Sequence, residues 1–177
     1  DRKFSAGIHT GLIDYYGDLN KQWFDHRAYR GHVGLSLMYS LNPWLNIGVS
    51  GNYGRFGYHV NAVSSKDLTG LSAKMLQANA QLRLKFNNGV WLEENSKLQP
   101  FLFIGTGFSD YREDKLFRGQ QLVVEGSDWT GNAGAGLSYM ITDFFGVNYT
   151  LNYALTNHDK RDGISTGGND QFMQHSI

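Results

Sequence analysis

The amino-acid sequence predicts an all-β fold: an eight-stranded antiparallel up-and-down transmembrane β-barrel, one domain over residues 1–177, with both termini periplasmic. Three observations predict it. Apolar residues alternate with small polar ones along segment after segment, the two-residue period of a strand with unlike faces. Connections between the segments are alternately long and short, with only the fourth-to-fifth link longer than the other short ones, as in membrane barrels with short periplasmic turns and longer external loops. Charge avoids the segments. Residues 4–12, 33–41, 45–54, 76–86, 101–109, 131–141 and 145–156 hold only Arg83 and Lys85, although the chain has 16 Lys and Arg and 16 Asp and Glu.

The first strand sets Phe4, Ala6, Ile8, Thr10 and Leu12 against Ser5, Gly7, His9 and Gly11. A polar loop, DYYGDLNKQWFDHRAYR, leads to the second, where Val33, Leu35, Leu37, Tyr39 and Leu41 oppose Gly34, Ser36, Met38 and Ser40. A turn at Asn42-Pro43 reverses the chain into the third, with Leu45, Ile47, Val49 and Tyr53 against Asn46, Gly48, Ser50 and Asn52. After a loop over 55–71 the fourth strand alternates Leu76, Ala78, Ala80, Leu82, Leu84 and Phe86 with Gln77, Asn79, Gln81, Arg83 and Lys85. NNGVWLEENSK joins it to the fifth, FLFIGTGFSDY, whose faces stay open because Phe101 and Phe103 share a phase with Gly105 and Gly107. DYREDKLFRGQQ then reads as a loop. The clearest pattern is the hairpin over 131–157, turning at Thr142-Asp143. Ala133, Ala135, Leu137, Tyr139, Phe145, Val147, Tyr149, Leu151 and Tyr153 lie on one face, and Gly134, Gly136, Ser138, Asn148, Thr150 and Asn152 on the other. An eighth strand begins at Gln171 and must pair with the first, because unpaired backbone groups cost several kcal/mol each in hydrocarbon.

Which face looks outward decides between membrane and water. The polar face carries Gly, Ser, Asn and Gln rather than Lys and Glu, and small side chains suit the narrow interior of an eight-stranded barrel. Aromatics gather at strand ends, where rings favour the two headgroup levels. Tyr39, Trp44, Phe86, Tyr139, Phe144 and Phe145 lie near short turns, and Tyr15, Tyr16, Tyr53, Phe108, Tyr111, Trp129 and Tyr153 near long loops. A soluble calycin-like barrel with its apolar face inward would also alternate, but it explains neither the uncharged strands nor the two aromatic bands.

Bulk composition narrows the function classes. Zero formal charge gives no footprint for nucleic acid, and the absence of cysteine removes disulfides, thiol catalysis and thiolate metal sites. No apolar run approaches the roughly 18 residues of a membrane-spanning helix. DRKFSAG does not read as a signal peptide, and a mature chain whose signal has been removed can begin this way. The glycine clusters at 105–107 and 131–136 sit inside strands with no Lys-Ser/Thr after them, unlike a phosphate cradle. NHDKRDG at 157–163 has Arg161 where a calcium loop needs a ligand. The six histidines lack metal-ligand spacing, and no serine is placed distinctively for catalysis, so the sequence calls for no cofactor, no metal and no enzyme. His9, His32, Gln81, Arg83, Lys85, Asn148 and Asn152 are the candidate polar lumen residues. Arg83 and Lys85 read either as a structural plug paired with amides and carboxylates or as a gate or weak anion constriction.

GLIDYYGDLN, LNPWLNIGVSGNYGRFGY, FLFIGTGFSDY, GAGLSYMITDFFGVNYTLNYALTN and the final QHSI together resemble the N-terminal barrel of OmpA-like outer-membrane proteins, in the branch found in Bacteroidetes-type bacteria. The resemblance spans essentially the whole chain and consists of strand patterns rather than a catalytic signature. It implies a last strand continuing past Ile177 and a following periplasmic domain that binds peptidoglycan, so that the protein ties the outer membrane to the cell wall. Partners would then be outer-membrane lipids including lipopolysaccharide, peptidoglycan, and other outer-membrane proteins. YYGDL also resembles the first loop of the small barrel subunit of the gliding-associated type IX secretion machinery, which would make the protein a component of a larger complex.

Overall fold

The computed structural model describes residues 3–16, 30–58, 68–117, 120–156 and 171–177. Of the long loops expected after the first, third and seventh strands, residues 17–29, 59–67 and 157–170, with NHDKRDG, lie outside the described residues, as do the side chains of Tyr15 and Tyr16, whereas 14–16, 30, 55–58 and 68–71 are not loop but extend the flanking strands. Eight strands follow in chain order: β1 (Phe4–Tyr16), β2 (Arg30–Ser40), β3 (Leu45–Tyr58), β4 (Leu68–Lys85), β5 (Leu98–Phe117), β6 (Gln120–Met140), β7 (Gly146–Thr156) and β8 (Gln171–Ser176). Each pairs antiparallel with the next, and β8 returns to β1 from Gly11↔Ser176 to Tyr16↔Gln171, closing the barrel. The predicted all-β up-and-down barrel is the observed one.

The side chains settle which face is out. Ile8 is 80% exposed, Leu35 63% and Ile104 64%, while Gln77 and Gln174 are buried inside the barrel. A soluble barrel would show the reverse. With bulky apolar groups on the outer wall and amides inside, only a hydrocarbon surrounding makes burial favourable for both.

Two elements differ from the sequence reading. DYREDKLFRGQQ is not a loop: β5 and β6 are the longest strands, paired from Leu98↔Tyr139 to Phe117↔Gln120. This ladder outlasts the alternation because a strand beyond the hydrocarbon can be polar on both faces while its backbone bonds persist. Arg112 and Glu125, directly opposite in it, form an exposed ion pair at 3.3 Å. Second, the lumen is not uniformly small and polar. Ile13, Ala73, Met75, Tyr111, Ala154 and Phe172 form one buried cluster at the long-loop ends of their strands. Tyr111, expected in the outer aromatic band, belongs to this interior cluster at 8% exposure. Tyr111 pairs with Gly126, whose missing side chain makes room: a Cβ there would stand 2.5 Å from the Tyr111 hydroxyl oxygen.

The faces of β5, open in the sequence, follow from its partner. Phe101 and Phe103 point into the lumen and pair with Gly136 and Gly134. A Cβ on Gly136 would lie 2.2 Å from the Phe101 ring, and one on Gly134 2.5 Å from the Phe103 ring. Large and small residues on adjacent strands thus share the space that a narrow barrel provides.

The seam between β1 and β8 depends on Gly11, where a Cβ would meet the His175 carbonyl oxygen at 1.7 Å and His32 Cε1 at 2.8 Å. Gly11→Val is expected to cost about 1–3 kcal/mol through overpacking against backbone. Gly31→Ala, where a Cβ meets nothing within 4 Å, should be close to neutral. Urea midpoints of the detergent-refolded barrels check the pair, and equal midpoints would contradict the seam geometry.

Candidate functional site

Alternation on eight strands converges one set of side chains on the lumen, so polar residues far apart in sequence meet there. All seven candidates lie on inward-facing positions: His9 on β1, His32 on β2, Gln81, Arg83 and Lys85 on β4, and Asn148 and Asn152 on β7. A cavity of about 580 Å³ receives His9, Gln81, Arg83, Asn148 and Asn152, together with Ser36, Ser50, Asn52, Asn79 and Asn132. The cavity lies on the short-turn side of the apolar cluster, which fills the lumen toward the long loops.

Amides hold the lumen together. Asn152 Nδ2 donates to Gln174 Oε1 at 2.9 Å, and Gln174 Nε2 donates to Gln77 Oε1 at 3.2 Å, a chain crossing from β7 through β8 to β4. Asn132 Nδ2 donates to Asn79 Oδ1 at 3.0 Å. His9 bonds the Asn52 amide oxygen, and its ring lies 6.1 Å from that of His32. Inside a barrel such bonds offset the desolvation of each amide, which would otherwise cost about 1–3 kcal/mol. Gln77, Asn79 and Asn152 were legible as inward residues, but not their bonding, which depends on the stagger of the strands; no face was assigned to Gln174.

Of the plug of amides and carboxylates expected around Arg83 and Lys85, Lys85 has the Glu94 carboxylate of the β4–β5 connection acting on it, whereas Arg83 has no such partner among the described residues. Among the described residues no ion pair reaches either one. The Arg83 guanidinium carbon instead lies 3.9 Å from the centroid of the Phe101 ring, a cation–π contact. The plug that does exist is the apolar cluster.

Among the described residues a serine–histidine pair bonds in the lumen, with Ser176 Oγ 2.9 Å from His32 Nε2. A nucleophile needs its base oriented by a third group, and His32 Nδ1 is buried without a hydrogen-bond partner. Among the described residues no group of three or more His, Cys, Asp or Glu could hold a metal.

The short-turn end repeats a single device. Asn42 Oδ1 accepts from the amides of Trp44 and Leu45, and Thr142 Oγ1 from those of Phe144 and Phe145. Asn88 Oδ1 likewise accepts from Val90 and Trp91. Each turn thereby presents a bulky apolar pair two and three positions after its capping residue. Trp91, absent from the expected girdle, stacks on Phe86 with centroids 4.6 Å apart and is 66% exposed. The signal that could have found it is this shared spacing in LNPWL, NNGVW and ITDFF. Of the expected girdle, Trp44, Tyr53, Trp129, Tyr139 and Phe145 are exposed on the outer wall. Tyr39 packs on Phe4 at 4.8 Å, and Trp129 meets Phe108 edge-on at 5.6 Å. Tyr153 and Leu151 occupy outward positions of β7 and are half-buried.

A family model described as the outer membrane protein beta-barrel domain matches residues 1–177. Among curated proteins none matches the chain. Of solved structures, Neisserial surface protein A is 16% identical, with a TM-score of 0.62, over 98% of this chain and 92% of that one. Ail, the attachment invasion locus protein of Yersinia pestis, is 14% identical with a TM-score of 0.53, over 99% of this chain and 97% of that one. The outer membrane enzyme PagL is 10% identical with a TM-score of 0.51, over 98% of this chain and 99% of that one. At such identities the likeness is one of fold, and it extends to enzymatic and non-enzymatic barrels alike.

Proposed function

The chain belongs to the outer membrane protein β-barrel domain family, and on that premise we propose that it is a structural, non-catalytic barrel that anchors the outer membrane to the cell wall and supports envelope integrity. The observation that carries this reading is the packed lumen: a buried apolar cluster around Phe172 occupies the barrel interior on the long-loop side, which suits an anchor better than a pore. The short turns face the periplasm, the side toward which β8 runs and on which a wall-binding domain would act, and the long loops face outward. Lipopolysaccharide and the other outer-membrane lipids contact the outer wall. Loss of the protein should release outer-membrane vesicles several-fold faster and sensitise cells to detergent. Unchanged vesicle release and detergent tolerance would sink the anchoring role.

The ladder of β5 and β6 favours a second reading, a non-catalytic subunit of a larger outer-membrane complex. It outruns the alternating segment and carries Lys74, Arg112 and Glu125 in one cross-strand row. Co-purification with other outer-membrane proteins at fixed stoichiometry would support this reading, and isolation as a free monomer would count against it.

A further inference from the structure

We infer that the barrel lumen binds a phosphate-class oxyanion through Arg83, in a site entered from the short-turn side.

Arg83 is a half-buried cation on the wall of the 580 Å³ cavity. Its Nε is buried without a hydrogen-bond partner, and among the described residues no hydrogen bond or ion pair reaches the guanidinium. Phe101 covers one face of the group and leaves the rim of N–H donors unused. Holding a cation in such a place is expensive unless an anion or a set of acceptors compensates it. A guanidinium offers two parallel N–H donors, which match the oxygens of phosphate.

The rest of the lining suits the same ligand. Ser36, Ser50 and Asn148 line the cavity and can donate hydrogen bonds, and among the described residues lining it there is no Asp or Glu side chain to repel an anion. Lys85, two positions along on the same inward face, stands outside the cavity at the short-turn end of β4, where the Glu94 carboxylate acts on it, so Arg83 is the cation of the site. Toward the long loops the buried apolar cluster of Ile13, Met75, Tyr111 and Phe172 occupies the lumen, which leaves the short-turn side as the approach to Arg83. The ligand has two possible sources. Free phosphate enters from the short-turn end. Alternatively the phosphate belongs to an anionic lipid headgroup, which reaches the same short-turn mouth beside Phe144 and Phe145.

Calorimetric titration of the detergent-solubilised protein with inorganic phosphate tests the first source. Saturable binding is expected, weakened at least tenfold in Arg83→Gln and less in Arg83→Lys, with heat-modifiable migration on gels confirming that each variant is folded. Reconstitution in phosphatidylcholine vesicles with and without phosphatidylglycerol tests the second. A thermal midpoint raised by phosphatidylglycerol in the wild type but not in Arg83→Gln assigns the lipid headgroup. A further measurement needs no variant: phosphate, or phosphatidylglycerol in the vesicle arm, should protect Arg83 from phenylglyoxal, read by mass spectrometry. The inference is overturned if neither ligand binds, if binding is unchanged in a folded Arg83→Gln, or if Arg83 is modified equally with and without both ligands.

Discussion

Phe172→Ala is expected to destabilise the barrel by about 3–5 kcal/mol, the range for removing a buried ring from a packed interior. Phe172 is 2% exposed and lies among Ile13, Met75, Tyr111 and Ala154, in the part of the lumen that lipid cannot refill. The ring also sits on β8, the strand that closes the barrel, so a cavity here loosens the seam as well as the plug. Phe172→Leu should retain most of the stability, since it keeps most of the volume. Denaturant midpoints of refolded protein in detergent provide the measurement. An alanine variant with an unaltered midpoint would show that the cluster does not pack the lumen.

Leu151→Arg should cost about 2–4 kcal/mol, the penalty for a cation on the lipid face of a barrel near the midplane. Leu151 points outward from β7, between Ala135 of β6 and His175 of β8. Its neighbour Asn152 points inward and donates to Gln174 at 2.9 Å. Asn152→Ser therefore loses one buried hydrogen bond, about 1 kcal/mol, but creates no charge in lipid. Insertion yields into preformed vesicles should separate the two variants clearly. If both insert equally well, the face assignment of β7 is wrong.

The alternation could be read strand by strand because, within the hydrocarbon, each position faces either lipid or lumen and the chain must obey a period of two. That logic ends at the membrane surface. DYREDKLFRGQQ carries charges on both faces and reads as a loop, yet its backbone continues the ladder of β5 and β6. The faces of Phe101 and Phe103 were undecidable for another reason. Phase alone puts them with Gly105 and Gly107, and nothing local says that the facing Gly136 and Gly134 leave room for two rings. Tyr111 was misplaced by proximity to a long loop, although its phase with Phe101 and Phe103 is the inward one. Arg83 was found, but its lack of a carboxylate partner is a property of eight strands at once.

By itself the sequence determined that this protein is a two-faced wall: period-two patterning, uncharged strands and alternating connection lengths suffice for the barrel, its strand order and its outward apolar face. These are local properties, repeated in every segment. The tertiary structure alone decided what fills the wall's interior: an apolar cluster at one end, and a cation over an aromatic ring in an amide-lined cavity at the other. Both depend on the stagger between strands, which sets neighbours dozens of residues apart and leaves no periodic trace in any one of them.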